Sequence, residues 1–145
     1  MQKYKSSKLI KPKCINTDNR GFFYSLIDDE IKNISYLYSK KNTIRSNHYH
    51  LKDFHYIYVI KGSIHYMYRS LKSKNIKYIH IQEGNIIFTP SLEIHATYFD
   101  QNTYMLVANS QNRNKQTYEK DLVRYDLFNI KSAKEFVDQI KIEKI

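Results

Sequence analysis

The stretch IRSNHYHLKDFHYIYVIKG, residues 44–62, gathers three of the six histidines of the chain within eight positions. They stand directly before residues 56–60, an apolar run of β-branched and aromatic side chains that is typical of a strand. Residues two apart on a strand point to the same face, so His48 and His50 can present both imidazoles to one side of a sheet. The stretch therefore predicts a β-structure with histidines clustered on its inner face.

Composition and charge limit the classes of protein that fit. The chain has 145 residues and one cysteine, so we interpret it as a single domain, residues 1–145, without an internal disulfide. We expect no signal peptide and no membrane span, since the first residues lack an apolar core and no apolar stretch is long enough to span a bilayer, and we therefore expect a cytoplasmic protein. The net charge of +10 is spread as single lysines without a nucleic-acid-binding motif. We therefore expect a small anionic ligand rather than nucleic acid as the partner.

Short apolar runs separated by polar turns fill most of the chain. Eight runs are rich in β-branched and aromatic residues: 22–27, 34–39, 56–60, 63–69, 77–81, 85–89, 95–99 and 104–109. Many short strands at this spacing predict a β-sandwich or a β-barrel. Helical periodicity appears only near the end, where we predict a helix over about residues 131–142 with Ser132 as its N-cap.

The spacing of glycine, proline and histidine fits a known pair of motifs. From His48 the sequence reads His-x-His-x4-His-x6-Gly, and from Gly84 it reads Gly-x5-Pro-x4-His. Over residues 42–99 this resembles the cupin family, whose motifs are G-x5-H-x-H-x(3,4)-E-x6-G and G-x5-P-x-G-x2-H-x3-N. The resemblance implies an all-β fold, the double-stranded β-helix or jelly-roll barrel, followed here by a short C-terminal helix.

Four positions depart from the cupin motifs. Asn42 and Leu92 stand where the motifs have glycine, His55 replaces the glutamate, and Phe99 replaces the closing asparagine. Asn42 is a tolerable exchange, because asparagine enters the left-handed backbone region more readily than most residues. The exchange at His55 produces a site with four histidines and no carboxylate.

The resemblance makes the four motif histidines candidate metal ligands. A bound divalent transition metal, such as zinc, iron, nickel or manganese, would be held by His48, His50, His55 and His95. The remaining two histidines, His65 and His80, lie outside the motifs, and we interpret them as ordinary polar residues of strands.

Three segments narrow the resemblance to the small cupins of sugar-nucleotide pathways. These include the TDP-4-keto-6-deoxyglucose 3,4-ketoisomerases and relatives of dTDP-4-dehydrorhamnose 3,5-epimerase. Their Arg-Gly-x-His-x-His stretch, proline-to-histidine strand and closing tyrosine-rich segment correspond to RSNHYH (45–50), PSLEIH (90–95) and YEKDLVRY (118–125). Ser46 replaces the glycine of the first segment.

This narrower resemblance implies an isomerase or epimerase that acts on a nucleotide-linked 4-keto-6-deoxy sugar for surface-glycan synthesis and requires no cofactor. His48 and His50 correspond to the catalytic acid and base, and an unperturbed pKa of ~6.5 suits imidazole to proton transfer near neutrality. The candidate substrate-binding residues are Arg45, Tyr38 and His95.

Two alternatives stay open. The first is a metal-dependent cupin enzyme, a dioxygenase or a metal isomerase, that uses the four-histidine site. The second is a non-catalytic cupin that binds a sugar. In each case we expect a homodimer, since an exposed sheet edge requires covering. We expect residues 118–125 to pack at a subunit edge rather than to contact the substrate.

Overall fold

The computed structural model describes residues 2–144. Across these residues the chain forms twelve strands and two helices. The strands are β1 (Lys8–Ile10), β2 (Lys13–Asp18), β3 (Gly21–Ser25), β4 (Asn33–Ser39), β5 (Thr43–His50), β6 (His55–Lys61), β7 (Ser63–Ser70), β8 (Lys77–Gln82), β9 (Ile86–Thr89), β10 (Glu93–Phe99), β11 (Thr103–Asn109) and β12 (Leu122–Arg124). The helices are α1 (Lys115–Asp121) and α2 (Ile130–Glu143).

Ten strands form two antiparallel sheets of five strands each. Sheet 1 has the order β1-β9-β6-β11-β4, and sheet 2 has the order β12-β5-β10-β7-β8. From β4 to β11 the chain passes between the two sheets at almost every connection, which is the winding of a jelly roll. The predicted all-β double-stranded β-helix with a C-terminal helix is therefore confirmed.

The barrel interior is an apolar layer between the two sheets. Its buried members come from both sheets: Ile57, Val59, Ile64, Tyr66, Tyr68, Ile81, Ile87, Phe99 and Met105. Two further clusters lie on the outer faces. The N-terminal segment covers part of sheet 1, and α2 packs Ala133 and Val137 against sheet 2. Each sheet thus buries both faces over part of its area, which keeps the strands of the barrel in place.

The two ends of the barrel differ. At one end short turns join the two sheets, and hydrogen bonds link these turns. Lys41 N, for example, donates to the side-chain oxygen of Asn102. The turn at Gly62 requires glycine, because its φ is 98° and an added Cβ would lie 2.5 Å from Thr103 Oγ1. At the other, open end lie longer connections, including residues 51–54 and 110–121.

Helix α2 begins at a different cap from the predicted one. Its N-cap is Asn129, whose side-chain oxygen accepts a hydrogen bond from Ser132 N at 2.8 Å, while Asn129 N donates to Ser132 Oγ at 3.0 Å. The assignment of Ser132 as N-cap was wrong, because this serine is the third helical residue of a reciprocal capping box.

Three positions that replace motif glycines keep the left-handed backbone conformation that glycine favours. The φ angles are 61° at Asn42, 69° at Ser46 and 61° at Leu92. Residues that carry a Cβ atom are strained in this region of backbone conformation, whereas glycine is not. The fold therefore retains the turns of the motif although the glycines themselves are gone.

The hairpin of β2 and β3 stands apart from both sheets. Its side chains are almost all exposed, and Phe22 and Phe23 are 76 % and 64 % exposed. An isolated two-stranded hairpin is marginally stable in water. Neither helix of the described chain has the length and apolar character of a membrane span.

Candidate active site

Four histidine side chains meet inside the open end of the barrel. Strand β5 supplies His48 and His50, β6 supplies His55, and β10 supplies His95. The ring centroid of His48 lies 4.8 Å from that of His50 and 4.8 Å from that of His95. The ring of His55 lies 5.5 Å from His50 and 5.6 Å from His95. The structure thus brings together all four histidines of the motifs.

A bulge in β5 sets which side chains face this cluster. His48 pairs with His95 on β10, yet Arg45 pairs with Thr97, so Asn47 is an extra residue without a partner there. Paired residues of antiparallel strands point to the same face. Arg45 and His48 are three positions apart and would face opposite sides of a regular strand. The bulge turns both side chains towards sheet 1, His48 into the buried cluster and Arg45 to an exposed position beside Ser39.

The cluster is buried, and burial lowers the pKa values of three of its histidines, His48, His50 and His95. Its four side chains are between 0 and 8 % exposed. Burial lowers the pKa of His48 far below its ordinary value, and the neighbouring His95 and His50 lower it further. Burial and the proximity of His55 lower the pKa of His50 to about 4, against the opposing effect of nearby carboxylates. Burial also lowers the pKa of His95 well below its ordinary value.

One of these carboxylates is Asp121, at the end of α1. Its Oδ2 lies 3.2 Å from His50 Nδ1, while Lys52 N donates to its Oδ1 at 2.7 Å and Asp53 N to its Oδ2 at 3.1 Å. The segment of residues 118–125, expected to pack at a subunit edge rather than to contact the substrate, also reaches the histidine cluster of its own chain through Asp121. A short helix, absent from the sequence interpretation, folds it back onto the histidines, and β12 pairs with β5 of the same chain.

A second carboxylate, Asp53, lies beside His55. Its Oδ2 is 3.6 Å from His55 Nδ1, and it accepts hydrogen bonds from the Asn109 side chain at 2.8 Å and from Ser110 Oγ at 2.9 Å. Burial raises the pKa of Asp53, but its contacts with His55 and Asn109 outweigh this and lower the pKa to about 2. Sequence analysis missed Asp53, although it lies between the two motif histidines of β5 and that of β6.

Two ring nitrogens of the cluster are buried without a hydrogen-bond partner in residues 2–144: His55 Nδ1 and His95 Nε2. His95 Nδ1 lies 3.0 Å from the carbonyl oxygen of Glu93, to which it can only donate. His95 Nε2 is then a bare acceptor that faces the other imidazoles. Two sets of side chains have ligand atoms within 4.8 Å of one another: His48, His50 and His95, and His50, Asp53 and His55.

The other predicted site residues are placed differently. Arg45 is exposed at the rim, where its Nε donates to Ser39 Oγ at 2.5 Å and its Nη2 to the carbonyl of Tyr38 at 3.0 Å. The ring centroid of Tyr38 lies 4.7 Å from that of Tyr104, with the two rings tilted by 34°, on the outer face of sheet 1. Its neighbour Leu37 packs into the barrel interior, so the two side chains face opposite ways. Tyr38 is therefore not brought together with the histidines.

The two histidines outside the motifs lie on the outer face of sheet 2. His65 is buried, with Nδ1 2.6 Å from Tyr78 Oη and Nε2 2.8 Å from Asp100 Oδ2, and its ring stacks on His80 at 4.5 Å. The side chains of both point away from the four-histidine cluster, on the opposite face of sheet 2 from Ile64 and Tyr66. They act here as polar packing residues between β7, β8 and the turn after β10.

Comparison with known proteins identifies the family. A family model described as the polysaccharide biosynthesis C-terminal domain matches residues 16–117, which run from β2 into α1. The chain belongs to this family. No curated protein sequence matches it.

Solved structures of similar fold come from sugar-nucleotide enzymes. A 3,4-ketoisomerase from Helicobacter canadensis is 22% identical, with a TM-score of 0.69, over 83% of this chain and 92% of that chain. A sugar 3,4-ketoisomerase from Thermoanaerobacterium thermosaccharolyticum, solved in complex with TDP, is also 22% identical, with a TM-score of 0.68, over 90% and 96%. A dTDP-4-dehydrorhamnose 3,5-epimerase from Sulfolobus tokodaii is 20% identical, with a TM-score of 0.64, over 81% and 77%. These solved structures share the fold of this chain.

Proposed function

We propose that this protein is a sugar-nucleotide isomerase or epimerase that moves protons beside the carbonyl of a nucleotide-linked 4-keto-6-deoxy sugar, in the synthesis of a surface glycan. The observation that carries the proposal is the cluster of four buried imidazoles inside the open end of the barrel, in which burial lowers the pKa values of His48, His50 and His95. The similar folds of 3,4-ketoisomerases and of a 3,5-epimerase support it, as does membership of a polysaccharide-biosynthesis family.

In this proposal His48 and His50 are the acid–base pair, with rings 4.8 Å apart. A neutral imidazole takes the proton from the carbon next to the carbonyl, the electrons of the C–H bond form a carbon–carbon double bond, and the carbonyl oxygen takes up a proton to give an enediol. In the ketoisomerase form, the hydroxyl on the neighbouring carbon then gives up its proton to become the new carbonyl, while a proton is added to the former carbonyl carbon. In the epimerase form, the proton returns to the same carbon on its opposite face. Neither path consumes an oxidant or a reductant.

The cluster favours at most one protonated imidazole at a time. A positive charge on any of the packed imidazoles lowers the pKa of the others. Asp121 offsets part of this for His50, because its carboxylate accepts from Nδ1 and stabilises the imidazolium that forms during the reaction. Nε2 of His50 is then the nitrogen that exchanges protons with the substrate.

Arg45 and His95 are the proposed substrate-binding residues. Arg45 uses two of its N–H donors for Ser39 and the carbonyl of Tyr38, so the rest of the fork can bind a phosphate or a sugar hydroxyl. His95 Nε2 can accept a hydrogen bond from a sugar hydroxyl. The proposal assigns no substrate contact to Tyr38 within one chain.

A metal-dependent enzyme is the second candidate, favoured by the unpartnered nitrogen of His95. His48, His50 and His95 fit a divalent metal ion, because neutral imidazole is a ligand for zinc, iron and nickel and their nitrogens lie close enough to share one ion. Such an ion would act as a Lewis acid on the carbonyl oxygen of the substrate. Elemental analysis of the purified protein, with activity assayed before and after chelation, separates the two candidates. Activity that survives complete removal of metal supports the first.

The proposal includes a homodimer in the cytoplasm. The β2–β3 hairpin and the outer face of β4 expose apolar side chains, among them Phe22 at 76 % and Tyr36 at 66 %. A second copy of the chain would cover such surfaces and the free edge of β4. A cytoplasmic location fits the one free cysteine, Cys14, which needs no oxidising compartment.

The direct test is incubation with TDP-4-keto-6-deoxyglucose, followed by NMR of the sugar. Conversion to a 3-keto sugar or to an epimer supports the proposal, and the identity of the product distinguishes ketoisomerase from epimerase. Saturable binding of the nucleotide sugar without any conversion would instead support a non-catalytic sugar-binding protein.

A further inference from the structure

The four histidines are too deeply buried to meet a substrate in the conformation observed. His95 is 0 % exposed and His50 is 2 % exposed. A sugar ring must contact imidazole nitrogens directly to exchange protons with them. Part of the cover over the cluster must therefore move during turnover.

The cover is the connection from β11 to β12, residues 110–121, which crosses the open end from sheet 1 to sheet 2. Tyr118 on α1 is its inner contact, with a ring centroid 5.8 Å from that of His50. The guanidinium carbon of Arg113 lies 3.9 Å from the centroid of the same tyrosine ring, in a cation–π contact. Tyr118 thus contacts His50 of the cluster on one side and the exposed guanidinium of Arg113 on the other.

The two ends of this connection are anchored, and its middle is not. At the first end Ser110 Oγ and Gln111 N donate to Asp53 at 2.9 and 3.1 Å. At the second end Asp121 holds the chain to residues 50–53. Between these two ends, within residues 2–144, no hydrogen bond joins residues 112–120 to the barrel. Their one polar link to it among the described residues is an exposed ion pair between Glu119 and Arg124 of β12.

The middle also lacks a core of its own. Helix α1 has seven residues, none of them buried. A helix this short is marginal in water without tertiary packing. Segments with few buried contacts open at low free-energy cost, whereas anchored ends stay in place. Residues 112–120 can therefore move as one segment while residues 110–111 and 121 stay fixed to the barrel.

We propose that residues 112–120 form a lid that lifts to expose the four histidines, with Tyr118 as its inner seal and Arg113 as the residue that an incoming phosphate meets first. The lid carries Arg113, Lys115 and Lys120 against one acidic residue, Glu119. A phosphate that pairs with Arg113 replaces its cation–π contact with Tyr118 and so weakens the closed state. The opening of the lid for a sugar nucleotide rests on the proposed function, whereas the weak attachment of residues 112–120 to the barrel does not.

The lid is tested without any sugar by diethylpyrocarbonate, which modifies neutral imidazole nitrogens. The other two histidines supply internal references: His80 is exposed, and His65 is buried at 1 % exposure on the far face of sheet 2. Peptide mass spectrometry gives the initial modification rate at each position. In the wild type the four site histidines should react more slowly than His80 and faster than His65, because the lid opens more often than the whole barrel.

Tyr118→Ala removes the inner seal, and Gln116→Ala, an exposed position on the same helix, is the matched control. We expect Tyr118→Ala to raise the modification rate of the site histidines by ~10-fold, as loss of one aromatic and one cation–π contact implies. The rates at His65 and His80 should not change, and Gln116→Ala should match the wild type. Equal rates in wild type and Tyr118→Ala would overturn the lid, as would a parallel rise at His65, which would indicate general unfolding.

The role of Arg113 is tested by binding of thymidine diphosphate, measured by calorimetry. Arg113→Gln should weaken binding by about fivefold to tenfold, while Lys115→Gln, which removes the same charge two residues away, should change it by less than about twofold. Equal losses in both variants would overturn the specific role of Arg113 and leave only a general charge effect. Absence of nucleotide binding in the wild type would contradict Arg113 as a phosphate contact together with the proposed function, whereas the modification rates would still decide the lid.

Discussion

His50 Nδ1 lies 3.2 Å from Asp121 Oδ2, and this contact joins the barrel wall to the segment that crosses its open end. The carboxylate accepts from Nδ1, so the bare lone pair of His50 is on Nε2. Two backbone N–H groups, of Lys52 and Asp53, hold the carboxylate in place. Asp121 therefore positions the ring of His50, a proposed catalytic residue.

Replacement of Asp121 by asparagine should lower kcat by ~10- to 100-fold and change KM little. The amide keeps the size of the side chain but can donate to Nδ1, which favours the wrong tautomer, and it does not stabilise the imidazolium. Steady-state kinetics measure both constants, and the low-pH limb of the kcat profile should move to lower pH. Asp126→Asn, at an exposed position beyond the site, is the control. Equal kinetics of the two variants would contradict the positioning role.

The folded state should lose stability as the pH falls from about 6.5 towards 4, in metal-free protein. The pKa values of His48, His50 and His95 are lower in the folded state than in the unfolded chain, and that of His50 is about 4. In this window the unfolded chain binds more protons, so acid favours unfolding. Each such histidine contributes a slope of up to ~1.4 kcal/mol per pH unit.

Urea denaturation at a series of pH values measures this slope. His48→Asn removes one of the shifted groups, so its stability should fall less steeply with decreasing pH than that of the wild type. A free energy of unfolding that stays constant between about pH 7 and 5 in the wild type would show that the histidines are not held neutral by burial.

Leu92→Gly should stabilise the protein by ~0.5–1 kcal/mol. Leu92 has a φ of 61° and is 49 % exposed, so glycine relieves the strain of ~1–2 kcal/mol and removes little buried surface. The greater conformational entropy of glycine in the unfolded chain reduces this gain in stability by ~0.4–1 kcal/mol. Leu92→Ala keeps the strain and should give no gain. Urea midpoints compare the three proteins, and a destabilised glycine variant would contradict the strain at this position.

Tyr36→Glu should convert the proposed dimer to monomers. Tyr36 is 66 % exposed on the outer face of β4, the edge strand of sheet 1. A charge there would be buried without a partner in a dimer that covers this face. Ile142→Glu, at a position of α2 that is 63 % exposed, is the matched control. Sedimentation should give twice the mass of one chain for wild type and control. A dimer unchanged in Tyr36→Glu would place the interface elsewhere.

Much of the fold was predictable from the sequence, because alternating runs of isoleucine and tyrosine mark strands directly. The eight runs each overlap an observed strand. The strands β1, β2 and β12 and the helix α1 were not predicted. Strands β1 and β12 have only three residues each, and β2 and α1 are mainly polar, so hydrophobic periodicity does not mark any of them. Tertiary hydrogen bonds contribute instead, as those of Asp121 do at the end of α1.

Only the part of the site that follows from the spacing of residues within the motifs could be predicted from the sequence. His48, His50, His55 and His95 follow from the motifs, since strand periodicity and the family pattern place them on inward faces. Asp121 is 71 positions from His50 in the sequence, and no local pattern links the two. The directions of the Tyr38 and Arg45 side chains depend on strand register and on the bulge at Asn47, which a single sequence does not specify.

The central claim is that His48 and His50 transfer protons to and from carbon, and deuterium exchange tests it most directly. Incubation of the protein with a nucleotide-linked 4-keto-6-deoxy sugar in D2O should incorporate deuterium beside the carbonyl, as read by mass spectrometry or NMR. His48→Asn and His50→Asn should each fold normally and slow this incorporation by ~10²–10⁴-fold, with a much smaller effect for His55→Asn. Incorporation at the wild-type rate in both His48→Asn and His50→Asn would contradict the account.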